Sequence, residues 1–521
     1  MKKIILLLFI SLALLAHTTQ AQMSGGYTID NTQATAGTNY ASFTAAVSAL
    51  STQGVNGAVT FAVGGNQTFT EQIDIPQITG ASATNTITFN GNNATLTYGG
   101  GNVAAPWTMR MNGADYFTFK NLNISATGAT HAIAAYFYDA ANHNTLDSCT
   151  LNVPANTILA NHVPLVFTIQ PTDYDNLSGP GLACDSNSIL NSIFENGRIN
   201  INQRGKIGDS CIGNSFVNNQ LKNPATSAFV SNYSTQSLIQ ENEMWGPNRT
   251  IFSTFSGYVE GIFLLECTHF TIEKNHIHDL MQLVPNNASD IYGIDISGNH
   301  HIIRNNLIES IKSTGSQYAL DVKSDNSLIA HNTIVLDDSS ASTSTAYGIR
   351  NFGSTNQILN NNVTITRNTS GDKIGLRYSN LTATSDNNNV FVSGAGNNYY
   401  GYYGTNQATI AAWQTATSLD ANSLAVDPQF VNPAIDDYTP GNAALQAGTP
   451  ITTITDDING FPRPTSAPTM GAFEASCTNP LAGIYTINNT LPSSATNFNS
   501  FNIARKALCV CGISGPVVFN V

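Results

Sequence analysis

A short phrase recurs along the middle of this chain, and it constrains the fold more than any other feature of the sequence. It consists of one apolar residue, two residues, an Asn or small residue, one residue and a second apolar residue. It reads Leu146/Cys149/Leu151, Ile189/Ser192/Phe194, Cys211/Asn214/Phe216 and Ile239/Asn242/Met244. It goes on as Ile272/Asn275/Ile277, Ile303/Asn306/Ile308, Ile329/Asn332/Ile334 and, more loosely, Leu359/Asn362, with Phe119/Leu122/Ile124 as an earlier copy. The central positions lie 43, 22, 28, 33, 31, 26 and 30 residues apart, the first interval being long enough to hide a missed turn. A unit this short cannot bury its own apolar face and must stack on copies of itself. Strands stacked about 4.8 Å apart give each apolar residue its equivalent one rung away. An amide recurring at one place can bond to the amides above and below, forming a ladder inside a turn. A propeller blade needs four strands in about 40–45 residues, more than most of these intervals allow.

Composition agrees. Of 521 residues only 10% are charged, while 41% are hydrophobic. Helix-rich folds place Glu, Lys and Arg freely on their wet faces. Asn, Thr, Ser and Gly with Val, Ile, Phe and Tyr suit strands and turns. Helical bundles, coiled coils and helical membrane channels are therefore poor matches. The formal net charge of −13 also argues against a nucleic-acid partner, which would need a basic surface. The repeated phrase resembles the right-handed parallel β-helix repeat of many bacterial surface proteins and polysaccharide-active enzymes, over roughly residues 60–400. That resemblance implies an all-β solenoid.

The two ends read differently from the middle. Lys2 and Lys3 precede an apolar run from Ile4 to Ala16, and Thr19-Gln20-Ala21 supplies small residues for cleavage. Residues 1–21 read as a secretory signal peptide, the run being short of the ~20 residues a membrane span needs. The mature chain is expected to be exported, with no membrane span. Residues 22–59 form an N-terminal cap of a strand and an amphipathic helix around Tyr40 to Leu50. Tyr27-Thr28-Ile29 returns as Tyr485-Thr486-Ile487, and Asn39–Val63 aligns without a gap on Asn497–Val521, 458 residues later, with 11 of 25 positions identical. Residues 476–521 are accordingly expected to start a second module, and the chain to continue as further modules of a longer array. Residues 401–475 form a closing region. They hold a short helix over Gln407 to Thr417, Asp427-Pro428-Gln429-Phe430, Asp437-Tyr438, Asp457-Ile458-Asn459-Gly460, Arg463 and Met470-Gly471-Ala472-Phe473-Glu474. As a set these resemble the C-terminal cap of large secreted β-helix proteins of the Bacteroidetes, which implies a cell-surface or secreted location.

The best constellation for chemistry lies in a second recurring strand. It reads Tyr292-Gly293-Ile294-Asp295-Ile296, Tyr318-Ala319-Leu320-Asp321-Val322, Tyr347-Gly348-Ile349-Arg350 and Ile374-Gly375-Leu376-Arg377, with Glu260-Gly261-Ile262-Phe263 one rung earlier. Alternation puts Ile and Leu inside, so Asp295, Asp321, Arg350 and Arg377 should point outward in one column, with Lys323 on the same face. A polysaccharide lyase needs a cation to neutralise a uronate carboxylate, Arg or Ca²⁺, and a base such as Lys, Arg, His or Tyr. A glycoside hydrolase needs two carboxylates at about 5–5.5 Å or 6.5–9.5 Å. These five residues are the catalytic candidates. The plainer account is a stack of unlike charges along an exposed sheet, each pair contributing well under about 1 kcal/mol. The combined motifs of polygalacturonases are not matched.

Tyr399, Tyr400, Tyr402 and Tyr403 are candidate ligand-binding residues, since aromatic faces stack on sugars; packing across the last rung is the plain alternative. Cys267, His269, His276 and His278 have a metal-like spacing, but a solvated surface pair explains His276 and His278 as well, so no metal site is assigned. Asp457-Ile458-Asn459-Gly460 reads as a tight turn rather than a calcium loop. No cofactor is implied, Ca²⁺ entering only with the lyase reading. The seven cysteines are odd in number and irregularly spaced, which suggests buried thiols with one bridge, Cys477 to Cys509 or Cys511. The leading expectation is a non-catalytic, adhesin-like or glycan-contacting surface module. A lyase or hydrolase comes second and a purely structural stalk third.

Overall fold

The structure, a computed structural model, describes residues 21–100, 102–155, 161–172, 178–246, 248, 258–281, 288–339, 342–475, 480–488, 490–491, 494, 496–498 and 500–521, with backbone alone at 502, 506, 509 and 510. Three long sheets of 14, 12 and 15 strands run side by side along one axis. Each coil visits them in turn, as in Thr271–Glu273, His276–His278 and Asp290–Asn299, and each strand pairs in parallel with its equivalents one coil away. The fold is a right-handed parallel β-helix.

The repeated phrase is the corner between the first and second sheets. In Thr145–Asp147 and Thr150–Asn152 only the middle residues, Leu146 and Leu151, face inward. Between such strands the chain turns through one residue with positive φ, among them Glu241 at 55°, Lys274 at 57° and Asn305 at 56°. The next residue is the Asn. Asn219, Asn242, Asn275, Asn306, Asn332, Asn361 and Asn388 are all buried and form one continuous ladder. In each step the side-chain oxygen accepts the backbone N–H and the side-chain NH₂ of the preceding Asn, at 2.9–3.1 Å. The remaining amide hydrogen goes to a carbonyl of the coil before, as from Asn306 to Ile272 O at 2.9 Å. Cys149 and Ser192 begin the column, and Ser423 Oγ, 2.8 Å from Asn388 N, ends it.

Three parts of the sequence reading need correcting. Phe216 pairs with Ile239, so its phrase is Phe216/Asn219/Leu221; Asn214 belongs to a second ladder, Asn144–Asn187–Asn214, at the entrance to the first sheet. Ile358 pairs with Ile329 and Val363 with Ile334, so the last phrase is Ile358/Asn361/Val363. The consecutive Asn360, Asn361 and Asn362 make the two frames look alike. The 43-residue interval hides no missed turn, because Cys149 N donates directly to Ser192 Oγ; it is one enlarged coil.

Both ends of the stack are covered. The helix Phe43–Gln53 starts at Ser42, whose side chain accepts from Ala45 N, and buries Phe43, Ala46, Val47 and Leu50. At the other end Trp413, on the helix Ile410–Thr417, is fully buried against Tyr378 and Tyr400, and its Nε1 donates to Asp420 at 2.8 Å. The chain then folds back along the second sheet. There Arg463 is bound to Glu474 and donates to Asn305 Oδ1 at 2.7 Å, while Ala472 N donates to Thr333 Oγ1. Asp457 is a turn holder, its Oδ1 accepting from Asn459 N and Phe461 N at 2.8 Å. Leu481–Ile487 and Ile513–Asn520 pair as Met23–Ile29 and Val55–Val63 do, around the helix Phe501–Cys511. Phe501 and Leu508 are 65% and 37% exposed, where Phe43 and Leu50 are buried.

Cys149, Cys184, Cys211 and Cys267 are free and buried, and Cys511 is disulfide-bonded. Cys477 and the Cys509 side chain lie outside the described residues, as does nearly all of the expected signal peptide. No helix among the described residues is long and apolar enough to cross a membrane.

Asn306→Ala leaves Asn275 N and Ile272 O without their ladder partners. At about 1–3 kcal/mol for each buried group left unpaired, the loss should be about 2–6 kcal/mol. Urea unfolding, with hydrogen exchange at the neighbouring coils, measures it.

Candidate functional site

Among the described residues the third sheet carries the long strands of the central coils, Tyr258–Thr268, Asp290–Asn299 and Gln317–Asp325, and they continue in Ala346–Asn351, Lys373–Tyr378 and Asn398–Tyr403. Strict alternation would put Tyr292 and Asp295 on opposite faces. Both face outward because the strand bends at a column of small residues, Gly261, Gly293, Ala319, Gly348 and Gly375. A Cβ at Gly348 would lie 2.4 Å from Val363 Cγ1 and 2.5 Å from Gly375 O, so nothing larger fits there.

Two outward columns result. In one, Glu260, Tyr292, Tyr318 and Tyr347 are in register. Tyr292 stacks on Tyr318 at 4.5 Å and Tyr318 on Tyr347 at 5.2 Å, while Tyr258 meets Tyr292 edge-on at 6.4 Å. In the other, Phe263, Asp295, Asp321, Arg350, Arg377 and Tyr402 follow one another. The columns interlock: the Arg350 guanidinium lies 3.8 Å from the Tyr318 ring centre, and Arg377 lies 5.3–5.6 Å from Tyr347, Phe352 and Tyr402.

The two acids are consumed inside this lattice. Asp321 is fully buried, gripped by Arg350 Nε at 2.9 Å and Nη2 at 2.5 Å, with Lys323 Nζ at 3.0 Å. Asp295 is 5% exposed, and Lys323 holds both of its oxygens at 2.7 and 2.8 Å. Burial and then the neighbouring Asp321 charge raise the Asp295 pKa. Lys323 is partly desolvated, which works against its charge, but the Asp295 and Asp321 carboxylates hold its pKa above the ordinary value. A lysine kept protonated this firmly is a poor general base, and carboxylates sealed under two cations are poorly placed to flank a glycosidic bond. Arg377 differs. Its Nη1 lies 3.4 Å from Tyr347 Oη, and among the described residues it forms no ion pair.

The tyrosine cluster divides. Tyr402 lies beside Arg377, and Tyr399 registers with Ile374 one rung from it. Tyr403 opens the hairpin to Thr405. Tyr400 turns inward and is 4% exposed against Trp413, so it offers no sugar platform. Of the metal-spaced residues, Cys267 is buried in the core and His269 stacks on His300 at a different corner; only His276 and His278 share a face. Sequence reasoning gave Glu260 no role. It is 3% exposed, receives a 2.7 Å hydrogen bond from Ser227 Oγ, and is pushed by burial to a pKa of about 8. Phe352 was also missed, while Tyr292, Tyr318 and Tyr347 stood visibly at the head of each phrase.

Two outcomes follow from this chemistry. Removing the guanidinium in Arg350→Ala strips a buried carboxylate of its bidentate partner and should cost about 3–5 kcal/mol in denaturant unfolding, less in Arg350→Lys. Glu260 keeps its proton when folded up to about pH 8, whereas the unfolded side chain loses it near 4.5. Its contribution is therefore fully present below about pH 4.5 and is lost as pH rises towards about 8. Glu260→Gln should flatten that part of the stability profile, read as urea midpoints across the range.

No protein-family model matches the chain, and no curated protein is similar to it in sequence. XylC in complex with xylose is 10% identical, with a TM-score of 0.40 over 78% of this chain and 87% of that one. A GH136 lacto-N-biosidase from Eubacterium ramulus is 10% identical, with a TM-score of 0.42 over 77% of this chain and 67% of that one. The PL6 family polysaccharide lyase Pedsa3628 from Pseudopedobacter saltans is 12% identical, with a TM-score of 0.39 over 78% of this chain and 96% of that one. Similarities of this size bring nothing about activity to this chain.

Proposed function

We propose that this protein is an exported parallel β-helix module, secreted or held at the cell surface, that binds acidic polysaccharides along its third sheet without cleaving them. The observation that carries the reading is Arg377. Its guanidinium sits between Tyr347, Phe352 and Tyr402 without a carboxylate of its own among the described residues. A planar fork of N–H donors matches a carboxylate or sulfate in two bonds, and the flanking rings supply stacking surface. Lys323 spends its ammonium on Asp295 and Asp321, which leaves Arg377 as the cation that the ligand would meet. The acids that hydrolysis or proton abstraction would recruit serve as counter-ions to Lys323 and Arg350. In this reading the second copy of the N-terminal unit belongs to a longer array of modules, where repetition adds reach and multivalency. The Bacteroidetes-like closing region fits a surface location.

The test is size-exclusion of acidic and neutral polysaccharides after incubation with the purified chain, with and without Ca²⁺. Acidic chains should co-elute with the protein at unchanged length, and added salt should release them. Arg377→Ala should weaken binding about 10- to 100-fold, as loss of a charge-assisted contact of about 1.5–3 kcal/mol implies. Shortened chains would replace this reading with a lyase or hydrolase. Unshortened chains eluting alone would leave a structural stalk.

A further inference from the structure

The second sheet presents a separate cluster, on the face that the C-terminal segment folds over. Glu243–Trp245, His276–His278 and Leu307–Glu309 are consecutive strands there, with Glu243 registered to His276 and His278 to Glu309. Alternation about the buried Ile277 sends both imidazoles outward, their ring centres 4.1 Å apart. One donor atom from each of Glu243, His276 and His278 lies within 4.8 Å of the others. His278 Nε2 is 3.4 Å from Glu243 Oε1. With metal–ligand distances of about 2.0–2.2 Å, the edges of a tetrahedral zinc site are roughly 3.3–3.6 Å, a length the His278–Glu243 edge already has, and His276 closes on it from within 4.8 Å.

The surroundings match what such a site requires. Each imidazole has one nitrogen held by a carboxylate outside the trio: His278 Nδ1 lies 3.2 Å from Asp279 Oδ2, and His276 Nε2 lies 3.1 Å from Glu309 Oε1. Glu309, 3% exposed, is fixed in turn by Tyr438 Oη, which donates to its Oε2 at 3.1 Å. Trp245 stacks on His278 at 5.8 Å. Carboxylates bonded to the far nitrogen of a ligating histidine set its tautomer and orientation, and they raise its basicity. A cavity of about 230 Å³ opens beside the trio, lined by Glu243, His276, Leu307, Asp436, Ile458 and Phe473. A fourth ligand can enter from it.

We propose that Glu243, His276 and His278 bind one divalent transition-metal ion of the Zn²⁺ class, with Asp279 and Glu309 as orienting partners and a fourth position open to the cavity. Two imidazoles favour this class over Ca²⁺ or Mg²⁺, which take oxygen ligands. The residues lie on a different sheet from the Arg377 platform, so the two proposals stand or fall separately.

The test uses the purified chain without a histidine tag, stripped with chelator and then dialysed against Zn²⁺ or Co²⁺. One equivalent of metal should be retained, and the Co²⁺ form should show the intense visible absorption of a four-coordinate ion. The double variant His276→Ala/His278→Ala should lose that equivalent, while His269→Ala/His300→Ala keeps it. Asp279→Asn should weaken binding about 10- to 100-fold, as loss of an orienting partner does. A wild-type chain that retains no metal, or a weak six-coordinate Co²⁺ spectrum, overturns the proposal without reference to any variant's folding. Retention of the full equivalent by the double variant overturns it equally.

Discussion

Everything in this structure depends on one buried contact, the amide-to-amide bond at the corner between the first and second sheets. A three-residue strand contributes a single inward side chain, and no such strand is stable alone. The corner also costs energy, since Glu241, Lys274 and Asn305 take a left-handed conformation that ordinary residues avoid. The Asn ladder offsets both costs. Every carboxamide in its interior accepts twice and donates twice without water, and this can happen only when successive coils sit in one register. A one-residue slip would break the ladder and turn the Ile column outward at the same time.

That fixed register is what makes the outward columns possible. Residues 26 to 29 apart in sequence become neighbours one rung apart, so Asp295, Asp321, Arg350 and Arg377 form a stack that no local interaction would assemble. Within the stack, order decides chemistry. The two acids meet two cations and are neutralised below the surface. The last cation has an arginine and tyrosines for neighbours and keeps its guanidinium unpaired by any acid among the described residues. The same register on the second sheet brings Glu243, His276, His278 and Glu309 together from three coils.

The closing region shows how a solenoid with exposed edges is managed. Trp413 plugs the last coil, and the residues that stood out as a set in the sequence, Arg463 and Met470 to Glu474, dock the returning chain onto the second sheet. That docking places Tyr438 on Glu309, so the cap shapes the floor of the histidine cluster as well as protecting the stack.

The sequence by itself determined the solenoid, because a period of one coil with a single apolar residue on either side of an Asn has no other way to bury its surface. It also determined the identity and face of the charged column, since alternation and repetition are both one-dimensional properties. Phase was legible in most copies of the phrase and misread in two. At Asn214 and at Asn360 to Asn362 two frames were equally good on paper, and pairing between coils chose between them. Only the tertiary structure decided how deep each group lies. That depth made Asp321 an internal counter-ion, turned Tyr400 inward and raised the pKa of Glu260. Burial is set by what neighbouring coils and the returning C-terminal chain place over a residue, and no local stretch of sequence contains that information.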